Sequence, residues 1–98
     1  LRLKCVQEAM AASFLERDTG RGVHATLAWL VEEIGELAEA ILKGDQELAA
    51  EEIADVIAWT LSIANLLGID AEEALQRKYP EQLERCRGRE SGAEEAHR

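Results

Sequence analysis

Apolar residues recur along this chain at three- and four-residue steps. Leu3, Val6, Met10 and Phe14 form the first series, which predicts an amphipathic helix over roughly residues 2–17. Asp18-Thr19-Gly20-Arg21-Gly22 places two glycines within three residues and predicts a loop. Leu27, Leu30, Val31, Ile34, Leu37, Ala38 and Ile41 form a second stripe. Its helix should start near residues 24–26 and stop at Lys43-Gly44, a cation in the last turn followed by glycine. Asp45 can cap a third helix carrying Leu48, Ala49, Ile53, Val56, Ile57, Thr60, Leu61, Ala64 and Leu67, which Gly68 ends. Asp70 with Glu73 three residues later resembles a capping box and opens a fourth helix containing Leu75. Pro80 interrupts or restarts it, and Leu83 and Cys86 extend one more short piece. Residues 88–98 hold no apolar residue larger than alanine and read as a disordered tail.

No strand pattern competes, so the fold class is all-α. Two long helices form a central antiparallel hairpin flanked by two others, in one domain over residues 1–87. Apolar stripes this wide exceed what one short hairpin can cover. A homo-oligomer, a homodimer or homotetramer completing a larger bundle, is therefore expected.

Composition narrows the partners. Eleven basic residues against 20 acidic ones leave a formal charge of −9, which repels the phosphate backbone of DNA or RNA and the surface of an anionic membrane. No apolar run reaches the ~20 residues that span a bilayer, and Leu1-Arg2-Leu3-Lys4 lacks a signal-peptide core, so the expected location is cytoplasmic. Cys5 and Cys86 share no metal-ligand spacing with His24 or His97 and read as two buried or idle thiols rather than a disulfide.

The acids themselves are patterned. Residues 32–36 read Glu-Glu-Ile-Gly-Glu and residues 51–55 read Glu-Glu-Ile-Ala-Asp. Measured from Gly44 in the turn, Glu36 and Glu52 are equidistant, as are Glu33 and Asp55. At a rise of ~1.5 Å per residue these pairs lie about 12 and 16 Å from the turn, and the i,i+3 spacing puts both acids of each helix on one face. Four carboxylates can thus converge between two helices. At ~5 Å and an effective dielectric near 20, each pair repels by roughly 3 kcal/mol unless a cation intervenes. The oxygen-only donor set favours Mg²⁺ or Mn²⁺ over zinc or iron. Glu39, Glu47 and Glu51 read as ordinary solvated acids. A di-iron bundle would need Glu-x-x-His pairs, and neither acid pair has a His.

Glu32-Glu33-x-x-Glu36 followed by Glu52-x-x-Asp55 resembles the two-part acidic signature of the MazG-like nucleotide pyrophosphohydrolases, in the all-α NTP pyrophosphatase superfamily. The flanking strings Arg21 to Ala40 and Asp55 to Asp70 are similar to its short single-domain members. The resemblance implies a MazG-like helical domain and hydrolysis of a nucleoside triphosphate between the α and β phosphates, giving a monophosphate and pyrophosphate. It implies Glu33, Glu36, Glu52 and Asp55 as metal ligands, with Glu32 as the candidate for orienting or deprotonating the attacking water, and Glu36 beside it in the catalytic set. Asn65 and Lys78 match polar positions suited to nucleotide or phosphate. Arg17, Arg21 and Lys78, with Arg77 behind them, are the cations available to a triphosphate. Trp59 lies four residues after Asp55, on its face, and is a candidate to touch the base, although Trp29 and Trp59 also suit a core. A catalytically silent oligomerisation or nucleotide-binding module would use the same positions, so the sequence leaves both readings open.

Overall fold

A computed structural model describes residues 1–86. It holds α1 (Leu3–Arg21), α2 (Val23–Lys43), α3 (Gln46–Leu67) and α4 (Ala71–Lys78), followed by a helical segment at 80–86. Among the described residues there is no strand. The tail expected at 88–98 lies outside them.

The stop signals act as the sequence predicts. Gly44 closes α2 in the left-handed region, φ 70°, and Asp45 caps α3 by accepting the Leu48 N–H at 3.1 Å. Gly68 repeats the device with φ 67°, and Asp70 accepts the Glu73 N–H at 3.1 Å. Glu73 does not reach back to complete a capping box; its carboxylate pairs with Arg77 at 2.8 Å. After α4 ends at Lys78, helix resumes at Pro80, where the missing N–H costs nothing.

The loop expected at 18–22 is instead the end of α1, which runs through Gly20 to Arg21. A glycine inside a helix costs about 1 kcal/mol relative to alanine. Burial and local hydrogen bonds accompany the continued helix: the Asp18 side chain is buried, it accepts from Arg17, and its carbonyl accepts the Gly22 N–H at 2.8 Å. The break falls on Gly22 alone, at φ 90° and ψ 160°, a conformation essentially restricted to glycine. Thr26 then donates its hydroxyl to the Gly22 carbonyl at 2.8 Å, securing the first turn of α2.

The α2–α3 hairpin makes the most extensive contact, α1 packs on α3, and α4 rests on α1. Gln7 ties the last three together. Its amide N–H groups donate to the Asn65 side chain at 3.0 Å and the Ile69 carbonyl at 2.7 Å, and its side-chain oxygen accepts the Ala71 N–H at 2.9 Å. Cys5 and Cys86 are free, and both are exposed rather than buried.

The apolar stripe of α2 does not form the core of the chain, and of the α3 stripe only Leu61 and Ala64 are buried. Among the described residues the buried apolar side chains are Ala40, Leu61 and Ala64. Leu27, Val31, Ile34 and Ile41 of α2 and Ile53 and Ile57 of α3 face outward, Val31 at 60% and Ile41 at 65% exposure. Among the described residues the polar side chains of Gln7, Asp18, Thr26, Glu52 and Ser62 are buried as well.

Candidate functional site

The hairpin seam is built from two helical faces. Thr26, Trp29, Glu33, Glu36 and Ala40 recur at alternating three- and four-residue steps along α2, as do Glu52, Asp55, Trp59 and Ser62 along α3. Thr26, Ala40, Glu52 and Ser62 on these faces are buried. Trp29 and Trp59 stack across the seam, ring centroids 6.1 Å apart and planes within 8°.

Closer to the turn, the seam gathers acids. Glu33, Glu36 and Glu52 each present a carboxylate oxygen within 4.8 Å of the others. Glu33 hydrogen-bonds Glu52, and this bond, burial, and the charges of Glu36, Glu52 and Asp55 raise the Glu33 pKa from 4.5 to about 7. A shared proton is the expected response of crowded carboxylates. It does not satisfy the site: Glu33 Oε2 and Glu52 Oε2 are shielded from solvent with no hydrogen-bond partner. Two orphaned carboxylate oxygens among hard donors fit a divalent cation of the Mg²⁺ or Mn²⁺ type. Asp55 acts on Glu33 through its charge, but its oxygens are not among the three gathered ones; it lines a cleft one turn away.

That cleft, about 200 Å³, lies between α1 and α3 and is lined by Phe14, Arg17, Asp55, Ala58, Trp59 and Ser62. The Arg17 guanidinium carbon sits 4.4 Å from the Phe14 ring centroid and 5.1 Å from that of Trp59, distances at which a cation is attracted to an aromatic face. Its Nε and Nη2 donate to Asp18 Oδ1 at 3.0 and 2.9 Å, and Asp18 is 1% exposed. Arg21 lies 5.5 Å from Trp29 and 5.2 Å from Trp59, with a shielded Nη1 that has no partner.

The structure therefore brings Glu33, Glu36, Glu52, Asp55, Arg21 and Trp59 to one seam. Glu32 is exposed at its rim and outside the three-acid cluster. Asn65 is elsewhere: ten residues beyond Asp55, about 15 Å along the helix, its amide is engaged with the Gln7 side chain and carbonyl. Lys78 stands exposed in the last turn of α4, the helix that rests on α1, and Arg77 is taken by Glu73. Glu39 lies 3.5 Å from Lys43, as a surface acid should. Sequence reasoning missed Phe14 and Asp18 as site residues. Phe14, Arg17, Asp18 and Arg21 share helical i, i+3, i+4, i+7 spacing, a signal hidden by reading 18–22 as a loop.

Fold and site together define an all-α domain with a carboxylate centre in the seam of a helix hairpin. Residues 21–87 match the MazG nucleotide pyrophosphohydrolase domain, and the chain belongs to that family. It is also 37% identical over 73 residues to a dATP/dGTP diphosphohydrolase of Cyanophage S-2L. The alignment covers 74% of this chain and 66% of that relative, so the chain spans just under two thirds of the relative's length.

Proposed function

We propose that the chain is a metal-dependent nucleoside triphosphate pyrophosphohydrolase, cleaving the α–β phosphate bond to give a monophosphate and pyrophosphate. The observation that carries this reading is the Glu33–Glu36–Glu52 cluster with its two orphaned oxygens, set within the family-matched segment. Glu33, Glu36 and Glu52, with Asp55 beside them, would hold Mg²⁺ or Mn²⁺. Such an ion supplies charge neutralisation for the phosphates and activation of water.

The chain's own residues do the rest. Arg21 offers an unpartnered guanidinium N–H to the triphosphate, in a seam whose other charges are negative. Its contacts to both tryptophans fix where that donor sits. Glu32 is the carboxylate that can orient water or take its proton without giving up an oxygen from the cluster.

The outward stripe of Leu27, Val31, Ile34, Ile41, Ile53 and Ile57 supports a homodimer or homotetramer that buries this face. The charge of −9 supports a single nucleotide, rather than a nucleic-acid polymer or membrane, as partner. No single helix among the described residues is long and apolar enough to cross a membrane. Cleansing of the cytoplasmic nucleotide pool is the role this reaction suits. The test is pyrophosphate release from a panel of NTPs and dNTPs, beginning with dATP and dGTP, in Mg²⁺, Mn²⁺ and chelator. Release dependent on metal is expected. Saturable nucleotide binding without turnover would make the chain a silent binding module.

A further inference from the structure

We propose that the cleft between α1 and α3 seats the nucleobase of the substrate, and that Arg17, locked in place by Asp18, reads the base. The proposal rests on the nucleotide reading above and assigns a part of the molecule that the family match leaves out: Phe14, Arg17 and Asp18 all precede residue 21, where that match begins.

Size, charge and walls agree on a base. At about 200 Å³ the cleft is smaller than the roughly 300–1,000 Å³ of a whole small-molecule site, so it takes one moiety of a nucleotide. That moiety is not a phosphate. Arg17 is neutralised by Asp18 at 2.9 Å, and Asp55 leaves the cleft net negative. A flat, uncharged group suits walls of Phe14, Ala58 and Trp59, since bases stack on aromatic rings and on guanidinium planes alike. Position agrees too: Asp55 lines the cleft and stands one turn along α3 from Glu52 of the acid cluster, so a group in the cleft adjoins the phosphate end of the site.

Arg17 is prepared as a reader. A guanidinium carries five N–H donors; Asp18 takes one from Nε and one from Nη2, and the side chain is 43% exposed. The remaining donors belong to a guanidinium whose carbon lies 4.4 Å from the Phe14 ring centroid and 5.1 Å from that of Trp59. Guanine offers O6 and N7 side by side to such a fork, whereas adenine sets an amino donor beside N7. Guanine is the base this arrangement favours. Asp18 is a positioning residue: buried and paired, it fixes the plane without facing the ligand.

The protein's two tryptophans are Trp29 and Trp59, so quenching of intrinsic fluorescence reports on the cleft. Titrations with dGMP, dAMP and the base-free probe deoxyribose 5-phosphate, in Mg²⁺, need no turnover. Wild type should bind dGMP at least tenfold tighter than deoxyribose 5-phosphate, and tighter than dAMP. Arg17→Ala should weaken dGMP at least tenfold, leaving deoxyribose 5-phosphate and the Mg²⁺-dependent melting shift unchanged. Arg17→Lys, which keeps stem and charge but not the fork, and Asp18→Asn should each erase the preference for dGMP over dAMP. Equal binding of dGMP and deoxyribose 5-phosphate by wild type, or equal dGMP binding by wild type and Arg17→Lys, overturns the proposal. A wild-type chain that binds dGMP in this way yet releases no pyrophosphate from any nucleotide refutes the hydrolase reading alone.

Discussion

Replacing Glu33 by glutamine should stabilise the metal-free protein and remove its response to metal. In the folded chain the Glu33 pKa rises from 4.5 to about 7 because the proton is held against Glu52. Between those values the folded state binds more protons than the unfolded state, so stability falls as pH rises through that window. At about 1.4 kcal/mol per unit the shift corresponds to at most roughly 3 kcal/mol. Glu36, exposed at the edge of the cluster, opens it to solvent, and screening reduces the figure to about 1–2 kcal/mol. Glutamine keeps a donor toward Glu52 at every pH and carries no charge. In chelator the variant should therefore match wild type near pH 4.5 and exceed it by about 1–2 kcal/mol above pH 7. At about 4–8 °C per kcal/mol for a domain of this size, the difference is readable by thermal melts at fixed protein concentration. With Mg²⁺ or Mn²⁺ at about 100 times the dissociation constant, wild type should gain about 2.7 kcal/mol and the variant little. If the variant is no more stable than wild type above pH 7 in chelator, the crowded-carboxylate account fails. If it responds fully to metal, Glu33 is not a ligand.

Glu36→Gln and Asp55→Asn should each lower pyrophosphate release by about 100-fold or more, while Glu47→Gln, exposed in the first turn of α3, stays close to wild type; an active Asp55→Asn enzyme would remove that residue from the site. Val31→Glu places a charge in the outward apolar stripe and should reduce the proposed homo-oligomer to smaller species by light scattering, and an unchanged mass would show that this face is not the interface. Gln7→Ala breaks the bracket to Asn65, Ile69 and Ala71 and should destabilise by about 2–4 kcal/mol, since it leaves several partly buried groups unpaired. A melt within error of wild type would show that α1 is held by other contacts.

Much of this was legible in the sequence because turn chemistry and helical period are local. Gly44 with Asp45, and Gly68 with Asp70, mark the hairpin and the start of α4 at the residues where they occur. The mirrored acids also announced their convergence, although Glu33 pairs diagonally with Glu52 rather than level with Asp55. What the period could not say is which face turns inward. Leu27, Val31, Ile34 and Ile41 form a clear stripe, yet α3 meets the Thr26, Trp29, Glu33 and Glu36 face, because the stripe pattern is the same whether its cover comes from this chain or from another. Asn65 looked like a ligand residue by its place after the second acidic motif. Its actual partner, Gln7, lies 58 residues away in sequence, beyond the reach of local pattern. Asp18 was concealed by Gly20, whose propensity argues for a break where α1 in fact continues to Arg21.

The single-residue joint at Gly22 leaves α1 and α2 no slack. Adding or deleting one residue within the last turn of α1 would rotate the preceding helix by about 100° and shift it about 1.5 Å. Arg17 would be carried off Trp59, and Gln7 off Asn65, in the same step. This stretch can accept exchanges of side chain but not changes of length.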